Sequence, residues 1–509
     1  MRWKRLCRRR RVEMAVREMN PGKILADILL SCHGPGGDFA DAPVVCDSRQ
    51  VSPGAIFAAI CGTRSDGSDF IPEAVAAGAA AVICQTPLSD YPPEITFYQV
   101  TDVRRAFSLL CRQRCGNPDE SLRIYGVTGT NGKTTSAYLL RHLLNHAGLP
   151  CGLVSTVEYC DGMHTLAATH TTPDPQTLFP LLSAMKEYGQ QAAAMEFSSH
   201  ALAQKRLAGL QVRGAVFTNL TGDHLDYHQD MESYYQAKKE LFTTMLVPGG
   251  IAAVNVDSPA GKRLAGELAL ERPDLRIPTF GRQEDSGWRI SEESSDIGQC
   301  SFVLSNALQA YQVQFPLPGA YNISNLAGVL TLLLCDGIPA EAVNRALSCE
   351  LQIPGRLERL TSPSGAHFFV DYAHTDDALA NVLQTLKQFS PVKLTALFGA
   401  GGDRDRSKRP RMGAKAAQIA DRIILTSDNP RSENPLEIMA EIASGIPDDY
   451  AFEAIVSREE ALRRAVMTSG AGDIVLVAGK GHENYQEIKG VKHHFDDREV
   501  LRHLFRECL

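Results

Sequence analysis

No two cysteines in this 509-residue chain have the CxxC spacing. Its 13 cysteines lie scattered from Cys7 to Cys508, and only Cys111 and Cys115 stand close together. An odd, dispersed set with no second His/Cys pair at zinc-site spacing argues against a disulfide framework and a structural zinc, and it reads as the reduced thiols of a cytoplasmic protein. No apolar stretch reaches the length of a membrane span, so insertion into a bilayer is not expected. Charge of one sign is scarce as well. A formal net charge of -7 over this length gives no support to a nucleic-acid or anionic-membrane binder, and any phosphate site must be local. Short internal repeats and low-complexity tracts are missing too, which removes solenoid and array architectures.

What remains is ordinary globular material, 44% hydrophobic and 22% charged, with 27 Pro and 41 Gly. That length exceeds a single core and calls for several domains. The segment Met1 to Arg11 carries seven Lys or Arg, but no apolar run follows, so it does not read as a secretory signal. Residues 1–20 are expected to be a basic, disordered arm, or to reflect a start upstream of Met14.

Three units follow. From 21 to 118, apolar runs such as Pro43–Cys46 and Ala79–Ile83 alternate with helix-like stretches such as Pro72–Ala77, which Gly78 would end; this predicts a small α/β domain. The turn-rich Cys115–Glu120 is a candidate linker. From 119 to 354, the runs Leu122–Val127, Ala192–Met195, Gly214–Thr218 and Gly250–Val256 predict a mostly parallel sheet with helices between strands. From 355 to 509, the runs Phe368–Val370, Leu394–Phe398, Arg422–Thr426 and Ile474–Ala478 predict a second doubly wound, Rossmann-like α/β domain. The fold class is therefore α/β in three domains, the central one of P-loop ATPase type.

The strongest local signal is Gly129-Thr130-Asn131-Gly132-Lys133-Thr134-Thr135, placed between a predicted strand and a predicted helix over Ala137–Ala147. Two glycines let main chain approach an anion, successive N–H groups and the helix N-terminus point at phosphates, Lys133 reaches the β- and γ-phosphates, and Thr134 offers a hydroxyl to Mg²⁺. The loop is a variant: a strict Walker A places Gly five residues before Gly132, where this chain has Val127. ATP binding is the expectation.

Read with His170-Thr171-Thr172-Pro173-Asp174, Glu196 to Leu202, and Thr218 to His228, this loop resembles the Mur ligase family. The resemblance continues through Gly355–Glu358, Asp371–His374, Phe398–Pro410, Asp428-Asn429-Pro430-Arg431 and Gly479–Glu483, and so covers nearly all of the chain after about residue 45. It implies an ATP-dependent ligase that joins an amino acid to UDP-MurNAc-L-Ala-D-Glu through an acyl phosphate, most closely in the branch that adds meso-diaminopimelate, working as a monomer with no nucleic-acid partner.

Residue by residue, the resemblance implies Ser48 in Asp47-Ser48-Arg49 as an anchor for the nucleotide sugar. Thr171, Thr172, Ser198, Gln204 and Arg206 would hold the muramoyl dipeptide. Thr134, Glu196 and His224 would ligate Mg²⁺, together with Lys238 carbamylated on its side-chain nitrogen. Lys133, Lys238 and His224 would be the catalytic set, with Asn322, Asn325 and Arg356 contacting the nucleotide. His170 stands where relatives can carry Asn. Arg404, Asp428, Asn429, Pro430, Arg431, Gly479 and Glu483 would form the diaminopimelate site. Arg431 fits the extra carboxylate that separates diaminopimelate from lysine, and Glu483 the distal ammonium.

From the residues alone, blander readings stand beside these. Ser48 is also a turn ahead of a buried strand, Glu196 also a helix-terminal or salt-bridge residue, and Lys238 also a solvated helix charge beside its competitor Lys239. Arg431 could pair with Glu433 on a loop. A folylpolyglutamate-synthetase-like ligase, a lysine-adding ligase and a phosphate-loop switch remain the rival functions.

Overall fold

The computed structural model describes residues 19–62, 65–86, 92–222, 225–349 and 351–507. The basic arm and His224 therefore lie outside the described residues. Among these residues the strands assemble into three large sheets and one hairpin, and no helix is long and apolar enough to cross a membrane.

The first sheet has five strands, in spatial order Leu29–His33, Thr96–Val100, Ala81–Cys84, Ile56–Ala58 and Val44–Val45. Its first pair is antiparallel and the rest are parallel. The helix Ile71–Ala76 stops where Gly78 takes φ +92°, the left-handed region in which glycine carries no Cβ penalty. The expected linker is a tight turn: the helix Val103–Arg114 ends, Asn117 turns left-handed at φ +50°, and a 3₁₀ turn covers Pro118–Glu120.

The central sheet has eleven strands. Its parallel heart runs Leu246–Asn255, Val212–Phe217, Arg123–Thr128, Ala192–Glu196, Cys151–Val154. These strands are apolar almost throughout because helices cover both faces. Two additions extend it. On one side Glu158–Cys160 and Thr165–Ala167 follow as an antiparallel meander. On the other, Thr279–Gly281 leads to the antiparallel strands Trp288–Ser295, Cys300–Ser305 and Ala310–Phe315.

The last large sheet has six strands, in spatial order Glu358–Thr361, His367–Asp371, Ile474–Ala478, Leu394–Phe398, Arg422–Thr426 and Phe452–Ile455. All pair in parallel except the first. Its helices supply two apolar layers, one on Leu383, Met412 and Ile442, the other on Leu462, Leu501 and Leu504. A separate hairpin, Tyr485–Ile488 with Val491–His494, follows the strand Ile474–Ala478.

Candidate active site

The central strand Arg123–Thr128 runs into the loop Gly129–Gly132 and the helix Lys133–His146. Gly129 has φ +150° and Gly132 φ +86°. A Cβ at Gly129 would collide with Thr218 Oγ1, and one at Gly132 with Asn325 Oδ1, so space as well as backbone angle calls for glycine. The neighbouring strand end clasps the loop: Thr218 Oγ1 donates to the Asn131 carbonyl at 2.6 Å, Asn131 N donates to Asn219 Oδ1 at 2.9 Å, and Thr130 N to the Asn219 carbonyl at 3.0 Å. Lys133 Nζ curls back onto the carbonyls of Gly129 (2.9 Å) and Thr130 (2.8 Å). Thr134 and Thr135 are buried at the helix start, where the free N–H groups and the helix dipole favour an anion.

Lys238 lies on the helix Met231–Glu240 and is 1% exposed. Its Nζ donates to the Gly129 carbonyl at 2.8 Å and sits 4.3 Å from the Tyr234 ring centroid. Lys239 turns the other way and ion-pairs with Glu267 (2.8 Å) and Glu271 (2.6 Å) on the helix Pro259–Glu271. Of these two neighbours, Lys238 faces the loop.

Glu196 ends its strand opposite Val127 and is fully buried. Its carboxylate accepts Thr156 N at 2.8 Å and Thr156 Oγ1 at 3.0 Å. Among the described residues it ion-pairs with no Lys or Arg, so the salt-bridge reading does not apply. The same corner gathers the polar group read from sequence. Thr156 Oγ1 and Thr171 Oγ1 lie 3.0 Å apart, Thr172 Oγ1 donates to the Glu196 carbonyl (2.7 Å), and Ser198 N to Thr172 Oγ1 (3.0 Å). Arg206 reaches the Thr172 carbonyl (2.9 Å) and Gln204 Oε1 (2.8 Å). Burial pulls its guanidinium below the ordinary value. His170 joins through its backbone, whose N–H donates to the Tyr159 hydroxyl at 3.0 Å.

Three candidates sit differently. The Ser48 hydroxyl donates to Glu73 at 2.9 Å within its own domain; that domain is tied to the central one by Gln176 Nε2, which donates to the Val44 carbonyl at 3.0 Å. Asn322 bonds the Pro318 carbonyl at 2.8 Å and accepts from Asn325 Nδ2 at 3.3 Å, while Asn325 stands against Gly132. Arg404 is exposed and flanks Gly401 opposite Arg431.

In the last domain, Asp428–Arg431 follows the strand Arg422–Thr426 and packs on the loop after Ile474–Ala478. Asn429 Nδ2 donates to Glu483 Oε2 at 2.7 Å, and Gly479 leaves room for the Asp428 carboxylate. Pro430 closes over Gly402, whose N–H donates to the Asn429 carbonyl at 2.9 Å. Arg431 does not pair with Glu433, which is taken by the buried Arg409 at 2.8 Å. Its Nη1 donates to the Gly402 carbonyl at 2.6 Å, and its Nε lies 3.5 Å from Glu487. Glu487 belongs to the hairpin, whose main chain clasps Arg431. Burial, then the neighbouring Asp428, pushes the Glu483 carboxyl above its ordinary value.

The two loop systems meet at one joint. Arg356 Nη2 donates to Thr134 Oγ1 at 3.0 Å, with its guanidinium 4.7 Å over the Tyr372 ring. His482 lies beside Tyr372, ring centroids 5.0 Å apart, and faces the Thr156 main chain. Burial first, then the cations Arg356 and Arg498, hold its pKa down at about 3. Thr156, Lys480 and the hairpin were not singled out from sequence. Thr156 has no motif of its own, whereas Lys480 lay inside Gly479–Glu483 in plain view.

A glycine-built phosphate loop on a parallel sheet, a buried acid beside it and a second α/β domain leaning on the loop define a multidomain nucleotide-dependent enzyme. Family profiles agree: "Mur ligase family, catalytic domain" matches residues 43–106, "Mur ligase middle domain" 127–333, and "Mur ligase, glutamate ligase domain" 355–481. The UDP-N-acetylmuramoyl-L-alanyl-D-glutamate--2,6-diaminopimelate ligase of Chlorobaculum tepidum is 43% identical over 97% of this chain and 99% of its own. That of Thermosynechococcus vestitus is 42% identical over 91% and 93%. A solved structure of a ligase of that name superposes with TM-score 0.69 at 33% identity, covering 97% and 99% of the two chains. A MurF ligase from Thermotoga maritima in complex with ADP shares the fold at TM-score 0.60 and 19% identity, covering 92% and 98%. The chain belongs to the Mur ligase family.

Proposed function

We propose that this chain couples ATP cleavage to amide-bond formation, joining meso-diaminopimelate to the D-glutamyl γ-carboxylate of UDP-MurNAc-L-Ala-D-Glu in the making of peptidoglycan precursors. A carboxylate is a poor electrophile with no usable leaving group. Transfer of the γ-phosphoryl group gives an acyl phosphate, the incoming amine attacks it, and phosphate departs. Such a step needs positioning and charge neutralisation rather than a nucleophilic side chain.

In this reading the loop Gly129–Thr135 cradles the phosphates with Lys133, and Asn325 and Arg356 border the nucleotide. Thr171, Thr172, Ser198, Gln204 and Arg206 present donors to the dipeptide, with Ser48 on the nucleotide-sugar side. Residues 21–118 would bind the nucleotide sugar, 119–354 ATP, and 355–509 the amino acid. Mg²⁺ suits the donors. Glu196 is a buried carboxylate without a cationic partner among the described residues, a costly arrangement for a charge, and Thr134 adds a hard hydroxyl oxygen. Lys238 as a carbamate, and His224, would complete the set. When bound, the ion would neutralise phosphate charge. Lys238 is buried against the loop, where an anionic carbamate on it could serve as an oxygen donor. The free thiols and the diaminopimelate substrate fit a cytoplasmic enzyme.

The observation that carries the reading is the joint, in which Arg356 of the last domain holds Thr134 of the phosphate loop. It brings the domain of Arg431 and Glu483 onto the domain of the nucleotide, as an amine attacking an acyl phosphate requires. Phosphate release measured with each co-substrate omitted tests it. Release is expected only with ATP, the nucleotide dipeptide and diaminopimelate together; steady release without the amino acid would point to a nucleotide switch. Equal use of lysine would remove the role given to Arg431.

A further inference from the structure

Lys480 is fully buried, and nothing in the proposed reaction uses it. Its ammonium lies 3.2 Å from Asn429 Oδ1, 3.5 Å from Glu483 Oε2 and 3.7 Å from Asp428 Oδ1. The Tyr485 ring is 5.6 Å away. One cation thus stands between two carboxylates at the centre of the loops assigned to the amino acid. Two other buried cations of the region are already committed: Arg458 holds Asp497 at 2.7 Å and donates to the Ala478 carbonyl at 3.0 Å, and Arg409 holds Glu433 at 2.8 Å.

We propose that Lys480 is a positioning residue for amino-acid binding, balancing the charge between Asp428 and Glu483 and holding them correctly aimed so that together they can receive the ammonium groups of the substrate. The inference rests on the diaminopimelate reading above. Burial and the neighbouring Asp428 push the Glu483 carboxyl upward while Lys480 pulls it back down, so removing that cation favours a proton on Glu483. With Lys480 present the trio carries one more negative than positive charge, which suits an incoming ammonium and repels a bare carboxylate. Asn429 transmits the placement: it accepts from Lys480 and donates to Glu483. The charged and titratable groups facing the pair are Lys480 on their own loop system, Arg458 on the helix Arg458–Met467, Tyr372 after the strand His367–Asp371, and Tyr485 on the hairpin. Tyr372 and Tyr485 are both held well into their neutral form by burial. Arg458 also feels both carboxylates but is bonded to Asp497; of these groups Lys480 is the cation within ion-pair distance of Asp428 and Glu483.

The test is steady-state kinetics of Lys480→Met, which removes the charge and keeps the length. The KM for diaminopimelate should rise about tenfold or more near neutral pH, with the KM for ATP and for the nucleotide dipeptide within about twofold of the parent. The rise should shrink as pH increases and the lost carboxylate ionises again. Lys480→Arg should restore most of the affinity. A diaminopimelate KM unchanged at every pH, or three KM values rising together, would overturn the proposal. Lys480→Gln, which keeps a donor for Asn429, is judged by the same criteria if the methionine variant does not fold. The unaltered enzyme separates the two ideas: if it releases no phosphate in response to diaminopimelate, the functional reading fails; if it does and the variant binds diaminopimelate normally, only the role of Lys480 fails.

Discussion

Around Gly129–Thr135 the shaping groups are main-chain atoms held by neighbouring main chain and short polar side chains, and two glycines make room for them. Around Asp428–Glu483 the shaping groups are buried charges that balance one another. The two regions touch through Arg356, yet they should fail in different ways. A site made of backbone tolerates no added atom, while a site made of charges tolerates changes of shape better than loss of a charge.

The largest effect is expected at the backbone site. Gly132→Ala forces a Cβ into Asn325 at a positive φ, and Lys133→Ala removes the cation of the loop. Each should lower ATP-dependent phosphate release by about 10²–10³-fold with the melting temperature little changed for Lys133→Ala. A Gly132→Ala enzyme of near-parent activity would break the contrast. Next comes the lysine pair: Lys238→Ala should lose on the order of 10²-fold in kcat, whereas Lys239→Ala, whose partners Glu267 and Glu271 lie away from the loop, should stay within a few-fold. Kinetics of the two variants side by side, with intact mass to detect a carbamate, sharpen the assignment.

At the charge site, Arg431→Ala should raise the KM for diaminopimelate roughly ten- to a hundredfold while leaving that for ATP alone. The smallest effect concerns the joint. The folded-state pKa of His482 is depressed to about 3, so its contribution to stability is present above the ordinary histidine value and is lost as pH falls from about 6.5 towards 3, by at most about 1.4 kcal/mol per pH unit. His482→Asn should therefore lose less stability than the parent over that window, as read by thermal melting against pH. Parallel curves would mean that the imidazole is not shielded from protons.

The parallel strands were legible where apolar runs are unbroken. Leu394–Phe398, Arg422–Thr426 and Ile474–Ala478 coincide with the runs read from sequence because both faces of that sheet are covered. The antiparallel wing over Trp288–Phe315 was not read. Its strands alternate buried and half-buried residues, as in Cys300–Ser305, among Ser, Glu and Gln that dilute the pattern. In the site, Gly129, Gly132, Glu196 and Arg431 stand in dense motifs, but their partners come from elsewhere. Thr156, which clasps Glu196 from 40 positions away, and Glu487, which reaches Arg431 across 56, depend on tertiary neighbours that no local spacing announces.

Arg431 also has a left-handed backbone, φ +51°, a conformation that costs a residue bearing a Cβ roughly 1–2 kcal/mol. The hairpin holds it there: Arg431 N donates to the Glu487 carbonyl at 3.0 Å, and Lys489 N to the Arg431 carbonyl at 2.7 Å. The cost is met once, during folding, and the guanidinium then points in a direction already chosen. If Arg431 receives the extra carboxylate as proposed, little main-chain entropy remains to be surrendered on binding, and its discrimination would rest on a rigid bearing rather than on a loop that must first be ordered.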